Sequence, residues 1–430
     1  MTAEIAIMNK EGIAIAADSA VTMTVRDEQK IFTSANKLFS LSNHSPVGIM
    51  VYGNAIFMGV PWETIIKIYR SMLEKKKFDT LKEYADNFIA FLDKGNKLFP
   101  DSVQEKYLKS SVYGYFAYVR KEINDKVYLK IAEEKKITDE TTEQIISEII
   151  KKHYEDWEKT DNIPSIPKSY NEEVVNKYSE IIDKAIKEVF EKLPISKSHI
   201  NQLKKIVSYL FSKFPEGVQK GDISGVVIAG FGEKEIFPSL VSFIIDGVVN
   251  NRLKYKTHIT QKINFEIDAS VVPFAQSEMV HTFMEGINPN FQNKMDGYLS
   301  EIFDKYPEII VRSITKYDDN EKNQLKEEMK QESNKIFKSY QEHMQIVRRQ
   351  DNVDPIIKVV SMLPKDELAA MAESLVNLTS FKRKVTMEME TVGGPIDVAI
   401  ISKGDGFVWI KRKHYFSPEL NPQFLSKYYK

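Results

Sequence analysis

Thr2, Asp18 and Lys37 are the residues of this 430-residue chain whose types and spacing could do chemistry. Removal of the initiator Met1, usual before a residue as small as threonine, would leave a hydroxyl and a free α-amine on one residue. With an ordinary pKa of about 7.7 to 8.0, that amine can accept the proton of its own hydroxyl near neutral pH, so the nucleophile needs no histidine. A lysine ammonium beside the hydroxyl holds its pKa down and favours a neutral amine. A carboxylate beside that lysine keeps it charged and oriented. Asp18 follows Thr2 by 16 residues and Lys37 by 35.

The three groups can meet only if neighbouring strands bring them to one edge. Residues 3–9 (AEIAIMN) and 13–17 (IAIAA) are apolar runs separated by Lys10-Glu11-Gly12, the pattern of a tight hairpin. The second run is apolar on both faces, which predicts a strand covered on both sides within a layered sandwich. Further strands are expected over 21–25, 37–41 and 47–52. Asp18 then follows the second strand and Lys37 begins a later one. Pro61 opens a helix in which Ile65, Ile68, Tyr69 and Met72 recur at helical spacing.

From 78 to 219 the chain is rich in Lys and Glu and reads as amphipathic helices, with a capping-box spacing at Thr80 and Glu83 and a Pro-containing break at 161–169. Strands are expected again at 224–231, 239–247 and 262–268, followed by a helix from Pro273 towards Glu285. A second charged helical stretch covers 316–350, an amphipathic helix follows at 364–378, and 395–401 with 407–411 make a closing hairpin. The order of elements is α+β rather than alternating βαβ. It divides the chain into a sandwich in three parts (1–75, 221–305 and 363–430) and two helical insertions (76–220 and 306–362).

Composition narrows the function classes. Lys plus Arg is 60 and Asp plus Glu is 61, a net charge of −1, so no overall basic excess exists to hold nucleic acid or anionic lipid. The absence of cysteine removes disulfides, thiolate catalysis and Cys-ligated metal, and points weakly to the cytoplasm. The seven histidines show no metal-ligand spacing, and the acidic run Tyr317-Asp318-Asp319-Asn320 reads as a helix start. No metal, cofactor, secretory leader or membrane span is expected.

The ordered set Thr2, Ala17-Asp18, Val21-Thr22, Lys37-Leu38-Phe39 and Gly53-Asn54-Ala55 resembles the N-terminal half of proteasome β-type and HslV-like subunits, which are N-terminal-nucleophile (Ntn) hydrolases. Segments 224–231 and 393–410 are similar to that family's mid-chain strand and closing hairpin. The resemblance covers 2–75, 222–288 and 363–411, about half the chain, and neither helical insertion is part of it. It implies a four-layer αββα sandwich and a threonine peptidase acting on peptide or protein without a cofactor. Thr2 would be the nucleophile, Lys37 would tune it and Asp18 would orient Lys37. The resemblance also aligns Ser270 with a serine supporting the amine, and the backbone N–H of Met50 with the oxyanion hole. In two places the chain departs from the family: Val271 and Val272 stand where glycines usually follow the serine, and Met389-Glu390-Thr391-Val392 stands where an Asp-x-x-Ser precedes the paired glycines. A homo-oligomer, and an unfoldase or other protein partner, fit the same resemblance. An Ntn amidase or acyl-transfer enzyme on a small substrate, or a non-catalytic complex-forming subunit, remain open alternatives.

Overall fold

The computed structural model describes residues 2–25, 28–93, 97–135, 138–215, 223–387, 392–423 and 426. The expected first hairpin is β1 (Ala3–Asn9) with β2 (Ile13–Ala17). Its turn is tight because Asn9 N–H donates to Gly12 O at 3.0 Å, and a Cβ on Gly12 would lie 2.7 Å from Ile401 O. A second hairpin, β3 (Val21–Val25) with β4 (Glu28–Phe32), stands apart from the larger sheets. Then come β5 (Leu38–Ser40), β6 (Val47–Gly53), and the two-residue strands β7 (Ile56–Phe57) and β8 (Val60–Pro61). Pro61 stands at the N-cap position of α1 (Trp62–Leu73), with φ −59° and no side-chain capping bond.

Helices fill the next stretch: α2 (Leu81–Leu92), α3 (Asp101–Glu134), α4 (Asp139–Glu158), α5 (Tyr170–Lys177), α6 (Ser179–Val189) and α7 (Lys197–Leu210). The capping box at Thr80 and Glu83 is present and stabilises the start of α2 by about 1 kcal/mol. Strands return as β9 (Ser224–Gly230), β10 (Ser239–Val249), β11 (Arg252–Lys262) and β12 (Ala269–Ala275). After α8 (Glu278–Glu285), the chain forms a long helical hairpin from α9 (Pro289–Ser313) and α10 (Asp319–Arg348). Asp318 caps α10 in a capping box with Glu321, so the acidic run is a helix start. A π-helical turn (Arg349–Val353) leads to α11 (Asp354–Val360), α12 (Lys365–Val385), and the closing hairpin of β13 (Asp397–Ser402) and β14 (Gly406–Lys411).

The architecture is mixed α and β, with two five-stranded antiparallel sheets ordered β12-β1-β2-β13-β14 and β11-β10-β9-β6-β5. Alternation along β1 assigns its side chains to two cores. Ala3, Ile5 and Ile7 pack with Leu368, Ala372 and Leu375 of α12. Ala6 and Met8 join Leu38, Met50, Val227 and Leu240 of the other sheet. Beyond that sheet, Val226, Ile228 and Phe243 pack against Ile65 and Tyr69 of α1 and Tyr84 and Phe88 of α2. Each fully buried aliphatic or aromatic side chain contributes about 1.5 to 3 kcal/mol.

Several boundaries differ from the sequence expectations. α2 packs with α1 on a sheet face, whereas α3 to α7 build a separate core around Val112, Phe116, Ile146, Ile186 and Leu203. α9 begins at Pro289, so the second helical unit starts well before 306. The expected strand over 262–268 is instead the end of β11 followed by a bend, and β12 occupies 269–275. Pro273 therefore sits within a strand. An edge strand tolerates it because only one side of β12 is paired, and the helix expected from Pro273 begins at Glu278. The β10–β11 turn at Asn250 and Asn251, both at positive φ, makes a long hairpin whose second strand is largely polar. No helix among the described residues is long and apolar enough to cross a membrane.

Candidate active site

The ends of β1 and β2 are held together by Asp18 N–H, which donates to Ala3 O at 3.1 Å. Thr2 therefore lies beside Asp18 at one end of the sheet's strands. Lys37 comes from the other sheet, immediately before β5, where its carbonyl accepts from Val51 N–H at 2.9 Å. The Lys37 side chain crosses between the sheets. Its Nζ stands 2.6 Å from Asp18 Oδ1 and donates to Thr2 Oγ1 at 3.0 Å. All three residues are buried: Thr2 is 2% exposed, Asp18 1% and Lys37 5%.

Asp18 is the most heavily bonded of the three. Oδ1 accepts from Ala3 N–H at 3.1 Å as well as from Lys37, and Oδ2 accepts from Ala20 N–H at 3.1 Å and Gly393 N–H at 2.9 Å. Three backbone donors and an ammonium stabilise the carboxylate inside the protein. Burial pushes the Lys37 ammonium below its ordinary pKa, while the charge and hydrogen bond of Asp18 push it back up. Lys37 is thus a donor aimed at a hydroxyl in a desolvated setting, and in its ammonium form it would favour the alkoxide form of that hydroxyl.

The next segment of backbone is fixed around Thr2. Gln276 N–H donates to Thr2 O at 3.0 Å, and the preceding Ala275 has φ +59°. A left-handed conformation costs a non-glycine residue about 1 kcal/mol. Here it turns the chain out of β12 and aims Gln276 at Thr2. Gln276 Oε1 in turn accepts from Arg383 of α12.

Two sequence-predicted residues fall elsewhere. Ser270 pairs with Met8, whereas the Thr2 end of β1 pairs Ala3 with Ala275. Five residues of strand separate Ser270 from that end, about 16 Å. The assignment failed because Ser270 was expected just before a helix, and the strand continues past Pro273. Met50 lies inside a sheet, paired with Leu38 on one side and Val227 on the other. Since Val51 N–H points to β5, the antiparallel alternation points Met50 N–H towards β9, where it is occupied by the ladder. It is therefore not an oxyanion donor to a ligand. Met389, Glu390 and Thr391, at the departure from Asp-x-x-Ser, lie outside the described residues.

Two participants were missed. Gly393 supports Asp18, and the paired glycines at 393 and 394 were its signal. Glu4 is buried on β1 close enough to Lys37 and Asp18 to act on them electrostatically. Its signal was one acid within the otherwise apolar run of 3–8. No family model matches the chain, and no curated protein matches it.

Proposed function

We propose that the chain is an Ntn hydrolase of the proteasome β type, a threonine peptidase that acts on peptide or protein once Met1 is removed. The observation that carries the proposal is the contact of Lys37 Nζ with Thr2 Oγ1, made while Asp18 holds the same ammonium. Two antiparallel sheets sharing an apolar interior, with helices on their outer faces, are consistent with a four-layer αββα sandwich. No side chain among the described residues needs to supply a second base, because the freed α-amine of Thr2 supplies one.

The Thr2 oxygen attacks the scissile carbonyl carbon and its proton passes to the Thr2 amine. The tetrahedral intermediate collapses as that proton moves to the leaving amine, which departs and leaves an ester on Thr2. Water then adds to the ester, giving one proton to the same amine, and collapse returns the proton to the Thr2 oxygen and releases the acid. Lys37 stays protonated throughout and stabilises negative charge on Oγ1.

The test is to treat the mature protein with a hydroxyl-directed covalent inhibitor, map the modified peptide, and measure the mass of the N-terminus. The expected result is a chain beginning at Thr2, modified on Thr2, with turnover of a small amide substrate lost in step with labelling. Retained Met1 in fully active protein, or Thr2→Ala retaining activity within a few-fold, overturns the proposal.

A further inference from the structure

Among the described residues the mechanism above leaves two buried carboxyl groups unused, Asp397, which is paired with Lys413, and Glu4. Glu4 lies two residues beyond Thr2 on β1, on the face it shares with Ala6 and Met8, so it points between the sheets. Its register partners, Ala17 and Phe274, carry no hydrogen-bonding side chain. Glu4 is only 2% exposed, and neither of its carboxyl oxygens has a hydrogen-bond partner among the described residues. Buried carboxyl groups are ordinarily hydrogen-bonded or paired, so an orphan beside a nucleophile calls for a reason.

The titratable groups around it come from other parts of the fold. Lys37 precedes β5, Asp18 follows β2, Tyr52 lies next to last in β6 and stacks on Phe274 at 5.8 Å, and Asp397 on β13 pairs with Ala17 and binds Lys413. Lys37 is matched by Asp18, and Lys413 by Asp397. Among the described residues Glu4 is the fifth charge-bearing side chain of this layer and has no counterion of its own.

We propose that Glu4 is a positioning residue that acts through Lys37, supplying a negative charge as pH rises so that Lys37 stays an ammonium donor to Thr2. The proposal rests on the Thr2 reading for its catalytic meaning but on Glu4 and Lys37 alone for its physical content. Burial raises the Glu4 carboxyl well above its ordinary pKa, Lys37 draws it back down, and Asp18 raises it further. At low pH Glu4 is a neutral acid and Lys37 is balanced by Asp18. As pH rises and Glu4 ionises, its charge raises the proton affinity of Lys37, where burial alone would let the ammonium go. Glu4 touches no reacting atom and exchanges no proton with substrate.

The experiment follows the Lys37 side chain by carbon NMR across a pH series in the full mature chain, with its signal assigned by loss in Lys37→Met. In Glu4→Gln, Lys37 is expected to lose its proton at lower pH than in wild type. The alkaline limb of kcat on a small amide should move the same way, with kcat down about ten-fold at the alkaline end and KM within about two-fold. Glu4→Asp should restore part of the shift. If Glu4→Gln does not fold, the Glu4 carboxyl is followed instead in wild type and Lys37→Met, where loss of the lysine charge should move its titration upward. An unchanged Lys37 titration in folded Glu4→Gln, or an unchanged Glu4 titration in Lys37→Met, overturns the inference. The titrations need no turnover, so an inert protein with coupled titrations rejects the hydrolase and leaves the Glu4–Lys37 coupling standing. An active protein with uncoupled titrations does the reverse.

Discussion

Gly393 reaches back across 375 residues of chain to donate its N–H to Asp18 Oδ2 at 2.9 Å. The contact depends on the neighbouring Gly394, whose φ of +78° suits glycine and whose Cβ, if it had one, would lie 2.6 Å from Thr33 O. Ser19 N–H also donates to Gly393 O at 3.0 Å, so this short loop is fastened to both Asp18 and its neighbour. Gly394→Ala should therefore loosen the carboxylate without touching Thr2 or Lys37. The expected cost is about 1 to 3 kcal/mol in stability, from the positive φ and the close approach together. Turnover should fall with little change in KM. Chemical denaturation and steady-state kinetics check the pair, and full stability with full activity would show that the loop does not position Asp18.

Lys37 and Asp18 should behave as one unit. Asp18→Asn removes the only counterion that the buried Lys37 ammonium contacts among the described residues, which costs about 3 to 5 kcal/mol when one partner is left behind. Lys37→Met removes the charge that faces Thr2 Oγ1, and is expected to lower kcat by about 100-fold or more. The double variant Asp18→Asn with Lys37→Met should be more stable than Asp18→Asn alone, and should lose less activity than the two single losses multiplied. A double-mutant cycle in both stability and kcat measures this. Independent, multiplicative effects would mean that Asp18 acts on Thr2 by a route other than Lys37.

Glu4 also leaves a mark on stability. Its pKa is raised on folding, so the folded chain holds this proton more firmly than the unfolded chain does. Its contribution is fully favourable below the ordinary carboxylate range and is lost as pH rises through the raised value. Glu4→Gln does not titrate. Its stability relative to wild type should therefore climb from about pH 4 upward, with a slope no steeper than about 1.4 kcal/mol per pH unit for one proton. Melting temperatures of the two proteins across that range provide the check. A difference independent of pH would place the Glu4 carboxyl at its ordinary pKa.

The parts of the site that were legible in the sequence are those set by local pattern. Thr2 and Asp18 flank a hairpin whose apolar runs and Lys10-Glu11-Gly12 turn fix its register, and Lys37 stands just before a short apolar strand. Met50 was assigned by aligning a family glycine within a strand whose register the resemblance does not fix, whereas the Ser270 assignment depended on where a strand ends. A proline usually marks such an end, but Pro273 sits on an edge strand that needs no N–H on its outer side. β11 was invisible for a related reason: its residues from Tyr255 to Lys262 are mostly polar, and only pairing with β10 makes them a strand. The contact between Gly393 and Asp18 is of a third kind, since nothing local in either segment specifies the other.

The α9–α10 hairpin should be dispensable for folding and for chemistry. α10 buries no residue, α9 buries Pro307 and Val311, and the contacts between the two helices include Phe303 against Phe337, at 5.6 Å between ring centroids, and Glu308 with Lys326 and Lys330 at 2.6 and 3.5 Å. Nearer the body, Arg348 donates to Gln292 and defines where the arm is anchored. Replacing residues 300–340 with a short Gly/Ser linker keeps that anchor and removes the distal part of the arm. Surface ion pairs of this kind are worth about 0 to 1 kcal/mol each, so the remaining protein should melt within a few degrees of the intact chain. Thr2, Asp18 and Lys37 all lie at strand ends of the two sheets, so reaction of Thr2 with a covalent inhibitor and cleavage of a small amide should persist within a few-fold. A fall confined to large protein substrates, or a change in oligomer mass by light scattering, would assign the arm to access or assembly. A folded, truncated protein that no longer reacts at Thr2 would show that the arm supplies something the site requires.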